Sequence, residues 1–300
     1  MGCQATGKEA PIGGVFDGQR EELQERLQQG PAVAEGAAET PAAIPPSQWR
    51  LQTIRAALPR LQNYSLSGVW RLLQRSGLKL RSAAVQQYSP DPQYQTKVEH
   101  LLACLAQTAQ TPTQTVFLFL DEMGYTRWPE ATSVWGQAAP HPPPQAERQQ
   151  TKQQQWRLIG SLNALSGQVD YLEGYIVGRA KVIQMYQHLL QRYPQAQRIY
   201  VAQDNWSIHK HPDVAAALAQ LPLIEPVWLP TYAPWLNPIE KVWRWLRQDV
   251  LKMHRLAGDW AALQQRVRDF LAQFAAGSTD LLHYVGLTGQ GKLARAIHPT

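Results

Sequence analysis

Apolar residues recur along this chain in two rhythms, and the change from one to the other divides it. Between Trp49 and Leu73 the spacing is helical. Trp49, Leu51, Ile54, Ala57 and Leu58 form one stripe that stops at Pro59. Leu66, Val69, Trp70, Leu72 and Leu73 form the next. Ser65 stands where an N-cap belongs and Gly77 where a helix closes, so Ser65–Ser76 is expected to be a helix. Two short helices joined tightly give the helix-turn-helix pattern. An earlier short helix is expected between Gly18 and Gln29, where Leu23 and Leu27 fall at i, i+4 and Gly30-Pro31 makes the stop. Ser89-Pro90-Asp91-Pro92 is a natural boundary. Val98, Leu101, Leu102 and Leu105 then predict a linker helix over Gln95–Gln107.

Beyond Thr111-Pro112 the pattern turns to short apolar runs alternating with helical stripes. T-V-F-L-F-L, from Thr115, reads as a buried strand that delivers Asp121 and Glu122 at its exit, ahead of a turn at Gly124. Ser133–Trp135 is a short strand candidate, and the polar, Pro-rich run over 140–155 predicts a mobile loop. Arg157–Gly174 reads as a hairpin about Ser166-Gly167. A helix over Ala180–Tyr193, a strand over Arg198–Ala202 running into Asp204, and a helix over Pro212–Leu221 follow. Ile224–Leu229 is the next strand, Asn237 opens a long helix, and Asp259–Ala276 is the last one. Such alternation predicts an α/β architecture, a mixed sheet flanked by helices. The expected organisation is a disordered 1–14, a helical domain over 15–90, a linker helix over 91–112, the α/β domain over 113–276 and a tail over 277–300.

Charge sharpens the first domain. The chain carries a net +6 with a pI near 9.3. Arg50, Arg55, Arg60, Arg71, Arg75, Lys79 and Arg81 lie between Ser47 and Pro90 with no Asp or Glu among them, a local +7 that exceeds the charge of the whole chain. A merely solvated face usually mixes signs. A single-signed helical unit suits a polyanion, with Ser67, Arg71 and Arg75 on the recognition helix and Lys79 and Arg81 just beyond it. A solvated three-helix bundle is the plainer alternative. Cys3 and Cys104 are too few for a disulfide framework or a thiolate metal site. No apolar run approaches the ~20 residues of a membrane span, and no signal pattern opens the chain. A soluble cytoplasmic protein is therefore expected.

Three acids carry the chemistry of the second domain, and each has an innocent explanation. Asp121 and Asp204 could begin turns. Asn237 could cap a helix with Pro238 first and Glu240 third, where a capping-box acid sits. Taken together they are harder to dismiss, because three elements bring an acid to one end of one expected sheet. Hard divalent cations take oxygen ligands. Three such acids can hold two ions about 4 Å apart, clamping the attacking and leaving oxygens of a phosphoryl displacement. His209 and His211 are expected at the surface or facing DNA rather than on zinc. Lys241, Arg244 and Arg247 follow Glu240 at i+1, i+4 and i+7 and are expected to contact phosphates. Trp235, Trp243 and Trp245 are expected in the core or an interface.

F-L-D-E-M-G-Y, A-Q-D-N-W-S-I-H-K and L-P-T-Y-A-P-W-L-N-P-I-E-K-V-W together resemble the DDE transposases of the mariner-like superfamily, in its bacterial insertion-sequence branch. The 35 residues between Asp204 and Glu240 are similar to the family's spacing of its last two acids. The resemblance covers about residues 15–276. It implies a ribonuclease H-like sheet preceded by a small winged helix-turn-helix domain, and two Mg²⁺ or Mn²⁺ ions on the catalytic Asp121, Asp204 and Glu240. Glu122 and Asn205 match neighbours that support those ligands. The implied reaction is cut-and-paste transposition. Terminal inverted repeats of double-stranded DNA are hydrolysed, and the freed 3′-hydroxyl attacks target DNA, typically at a TA step. A homodimer on DNA, associated with the nucleoid, is implied as well. Family members often carry two helix-turn-helix units and only one fits here, so the upstream unit is expected to be missing or supplied separately. Two rivals stand beside this reading: a non-enzymatic DNA-binding repressor derived from a transposase, and a nuclease of RNA–DNA hybrids.

Overall fold

The computed structural model describes Glu25, Leu27 and residues 48–80, 88–136, 141–148 and 152–298. It falls into two units divided between Gln86 and Gln87.

In the first unit, α1 (Leu51–Ala57) leads through a single 3-10 turn at Pro59–Leu61 to α2 (Leu66–Arg75). The Ser65 hydroxyl accepts the Gly68 N–H at 3.1 Å, the expected N-cap. Gly77, at φ 77°, takes the left-handed conformation that ends the helix. Ile54, Leu61, Val69 and Leu73 form the small core, with Leu27 and Trp49 packed against it. Ser67, Arg71, Arg75 and Lys79 are exposed. Among the described residues this unit holds no strand; residues 1–14, Arg81 and any wing beyond Leu80 lie outside them, as does most of the helix expected before Gly30.

The second unit is built on a five-stranded sheet in the order β3-β2-β1-β4-β5. β1 (Thr115–Thr126), β2 (Gln155–Asn163) and β3 (Val169–Gly174) run antiparallel. β4 (Arg198–Gln203) and β5 (Ile224–Trp228) add in parallel on the other side. The sheet is mixed and flanked by helices, the ribonuclease H-like arrangement that the resemblance implies. Alternation along β1 separates two cores. Phe117, Phe119, Met123 and Tyr125 belong to one, which is closed by α3 (Tyr94–Gln110), α6 (Ile239–Leu246) and α7 (Trp260–Ala272). Leu118 and Leu120 belong to the other, under α4 (Arg179–Arg192) and α5 (Pro212–Ala219).

Several expectations are corrected. β1 does not stop at Asp121. It runs to Thr126, with Asp121 opposite Gly160 and Gly124 opposite Arg157 on β2, so Gly124 is a strand residue and no turn. The helix expected as a linker is α3, and its buried Val98, Leu101, Cys104 and Leu105 pack into the larger core. Ser133–Trp135 forms no strand and is exposed. The helix after Asn237 is α-helical only to Leu246 and then takes a π turn over Arg247–Leu251. The expected tail instead folds into α8 (Thr279–Val285) and α9 (Lys292–Ile297), whose Leu281, Leu282, Val285, Leu293 and Ile297 are core residues. No helix among the described residues is long and apolar enough to cross a membrane.

Candidate active site

β1 is longer than its parallel neighbour, and that mismatch opens the site. The β1–β4 pairing ends at Phe119–Ala202, whereas the β1–β2 pairing continues to Thr126–Gln155. Past Leu120, β1 therefore has a free flank beside the end of β4. Asp121 sits on that stretch, and Asp204 follows Gln203, the last residue of β4. Glu240 lies in the first turn of α6. All three line one cleft of ≈500 Å³, with Asn205, Trp206, Ser207, Thr231, Tyr232 and Asn237 among its other walls.

Glu240 does not play the capping role that its sequence position suggests. Asn237 makes no cap, and α6 begins with Pro238 at the N-cap and no side-chain cap bond. The Asn237 amide donates instead to the Leu120 carbonyl at 3.1 Å, which ties the entry of α6 to the residue before Asp121. Trp243, one turn on, packs over Gly160: a Cβ there would lie 2.6 Å from the ring's Cη2. Gly160 is the register partner of Asp121. Two contacts thus seat the Glu240 helix against the Asp121 strand.

Asp204 is held differently. His209 is 2% exposed, with Nε2 2.9 Å from Glu122 Oε1 and Nδ1 3.2 Å from Asp204 Oδ1. The expectation of a surface or DNA-facing imidazole at 209 is corrected. Its partner Glu122 lies 87 residues away in the chain and on the opposite face of β1 from Asp121, so no local pattern signals it. Glu122 thus touches the group that grips Asp204. Asn205 donates to the Leu229 carbonyl at 2.6 Å, bracing the loop after β4 on the end of β5.

The electrostatics follow from these contacts. Burial, then the charges of Glu240 and Glu122, push Asp121 up to about 8. Burial also raises Glu240, with Arg244 opposing and Asp204 reinforcing the shift. Asp204 moves the other way: burial is outweighed by the hydrogen bonds from His209 and the Trp206 N–H, and its pKa falls. Burial alone lowers the pKa of an imidazole, but bonds to Asp204 and Glu122 outweigh it and push His209 up to about 10. The cleft is short of positive charge at Asp121 and Glu240. Asp121, Asp204 and Glu240 offer the cleft carboxylate oxygens, while Oδ1 of Asn205 and of Asn237 is buried without a hydrogen-bond partner. A hard divalent cation fits that donor set. Among the described residues no three acid, His or Cys side chains already converge as a metal-ligand group. The carboxylates share the cleft while repelling one another, and Asp204 is turned to His209.

Of the three cations expected to contact phosphates, two are occupied within the protein. Lys241 donates to the Val285 carbonyl at 2.8 Å. Arg247 pairs with Glu130 at 2.6 Å and donates to the Gly124 carbonyl at 3.1 Å. Both fasten α6 and its π turn to the rest of the unit, and Arg244 is the exposed one. Trp243 is buried, and Trp245 stacks among Phe270, Phe274 and Tyr284.

Residues 116–264 match the family described as DDE superfamily endonuclease. A stretch of 118 residues is 28% identical to the uncharacterized 39 kDa protein of insertion element IS630 from Shigella sonnei. That match covers 39% of this chain and 34% of the relative, so it spans about a third of the relative's length. Among solved structures, the Mos1 transposase paired-end complex with the left transposon end gives a TM-score of 0.60 at 17% identity, over 98% of this chain and 80% of that one. The Mos1 mariner paired-end complex with Mn gives 0.53 at 17% identity, over 92% of this chain and 84% of that one. At these identities the structural likeness speaks for the fold.

Proposed function

We propose that this chain, whose residues 116–264 match the family described as DDE superfamily endonuclease, is a transposase that cuts DNA at terminal inverted repeats and joins the freed end to target DNA. The observation that carries the reading is the gathering of Asp121, Asp204 and Glu240, from a strand, a strand exit and a helix start, around one cleft. One solved structure of similar fold is a paired-end complex with a left transposon end, and another is a paired-end complex with Mn.

In this reading Asp121, Asp204 and Glu240 would hold two Mg²⁺ or Mn²⁺ ions. When bound, the ions supply Lewis acidity and neutralise charge on the attacking and leaving oxygens. The chain's own residues do the rest. His209 keeps Asp204 ionised and oriented, while Glu122 balances the imidazolium charge. Asn237 and Trp243 keep Glu240 in register with Asp121. Water attacks the scissile phosphodiester, leaving a 3′-hydroxyl and a 5′-phosphate. That 3′-hydroxyl then attacks a target phosphodiester, releasing the target's own 3′-hydroxyl. Positioning and charge neutralisation suffice, so no protein nucleophile is needed.

Inverted repeats are read by the first unit in this proposal. Ser67, Arg71 and Arg75 on α2, with Lys79 beyond it, form an exposed basic surface. Arg244 contacts phosphate near the cleft. A TA target step and a homodimer on DNA complete the reading. A DNA-binding repressor without catalysis accounts for the basic surface but leaves the acidic cleft unexplained.

A nicking assay on DNA carrying the flanking inverted repeats, with Mg²⁺ or Mn²⁺, tests the proposal. Wild type should nick at the repeat ends and Asp121→Ala should fall to background. Identical behaviour of the two proteins contradicts it.

A further inference from the structure

Tyr232 is exposed where an aromatic ring has little reason to be. It is 78% exposed, lines the cleft that holds the three acids, and has φ 53°. A bulky residue in the left-handed region is strained, and such strain survives only where the surroundings impose it. Here they do. The Thr231 N–H donates to Asp91 Oδ2 at 2.8 Å, and the Thr231 carbonyl accepts from Ser89 Oγ at 2.5 Å. Asp91 is itself fixed by Lys97 at 2.7 Å. On the other side Ala233 is buried and Pro234–Leu236 forms a 3-10 turn, with Trp235 Nε1 donating to Tyr94 Oη at 3.2 Å. Backbone on both sides is held, and the ring between is left in solvent at the lip of the cleft.

Burial does not account for that ring, and Gly or Asn would meet the backbone requirement with less strain. The cleft supplies a second aromatic wall in Trp206, whose ring packs edge-on against His209 at 5.6 Å. A volume of ≈500 Å³ falls in the range of small-ligand sites, room for a nucleotide rather than a whole duplex. Bases stack on aromatic rings without sequence preference.

We propose that Tyr232 is a positioning residue that stacks on the nucleobase beside the scissile phosphate and holds a parted strand over the three acids. This rests on the transposase reading and adds to it how the strand is seated. Asp91 and Ser89, from the segment that precedes α3, set the ring's place by clamping Thr231.

The test uses the full chain, Ca²⁺ to support binding without turnover, and repeat-end DNA with 2-aminopurine at the nucleotide on either side of the cut. Wild type and Tyr232→Phe should change the 2-aminopurine fluorescence. Tyr232→Gly, which relieves the backbone strain and removes the ring, should abolish that change. In Mg²⁺ the same variant should need about 5- to 100-fold more DNA for half-maximal nicking, while Tyr232→Phe stays near wild type. Thermal stability of Tyr232→Gly should be unchanged or higher, which separates a lost contact from a damaged fold. If wild type nicks and Tyr232→Gly matches it in both signal and DNA requirement, the stacking role is overturned and the transposase reading stands. A Tyr232→Phe as impaired as the Gly variant overturns it too. Absence of nicking by wild type overturns the reading beneath it.

Discussion

Asp121 is the residue whose charge state reports most directly on what the cleft lacks. Its pKa, about 8 against an ordinary 3.8, lies above its unfolded value, so the metal-free fold binds a proton that the unfolded chain has released. The sign follows. That contribution is most favourable below about pH 4, is lost as pH rises toward 8, and is flat beyond. Asn at this position cannot ionise. Asp121→Asn should therefore match wild type near pH 4 and be the more stable protein at pH 8 in chelator, by roughly 1.4 kcal/mol for each pKa unit retained. Adding Mg²⁺ or Mn²⁺ at pH 8 should raise the melting temperature of wild type and leave the variant's unchanged. Melting curves at the two pH values decide it, and a variant that is less stable at pH 8 counts against the crowded-acid account. The acids themselves could be read from the sequence, because each stands beside an apolar run or in a distinctive motif. Their grips could not. His209 meets Glu122 across 87 residues, and Lys241 and Arg247 reach partners 44 and 117 residues away. Nothing in local spacing distinguishes such side chains from solvated ones.

At the scale of elements, α6 and β1 make the site together, and Gly160 is where they meet. The Trp243 ring occupies the space a Cβ would take, and being buried it cannot swing aside. Gly160→Ala should then push α6 outward, costing about 1–3 kcal/mol by overpacking and lowering nicking because Glu240 rides on that helix. Trp243→Phe in the same chain should recover part of the stability, and a non-additive double-mutant cycle measured by denaturant unfolding checks it. Unaltered stability in Gly160→Ala removes the contact from the argument. The pattern of strands and long helices was legible here, since apolar runs and stripes of Leu and Val mark them. The end of β1 was misread because Asp, Glu and Gly look like a turn, while the β2 partner that keeps the strand going lies beyond a loop of low periodicity. The helices after Gly277 were missed because six or seven residues are too few to show a stripe.

The whole molecule joins two kinds of surface in one chain, a basic helical unit and a sheet with an acidic cleft. The proposed transposition calls on both. In the first unit, Arg71 and Arg75 are exposed on α2 while Ile54, Val69 and Leu73 hold the core without them. Arg71→Ala and Arg75→Ala should therefore weaken DNA binding at unchanged stability, each reducing the slope of log affinity against log salt by about 0.9. Filter binding across a salt series measures it, and unchanged slopes in both variants restore a merely solvated basic face. The charge distribution along the sequence marks the basic unit, because no acid interrupts the seven bases between Ser47 and Pro90.

If Asp121 acts on phosphodiesters through a divalent cation, exchange of its ligand atom tests that role most directly. A thiolate binds Mg²⁺ poorly and accepts softer metals. Asp121→Cys should lose nicking of repeat-end DNA in Mg²⁺ and regain a measurable part of it in Mn²⁺, while wild type works in both. Wild-type nicking by Asp121→Cys in Mg²⁺ would contradict the account.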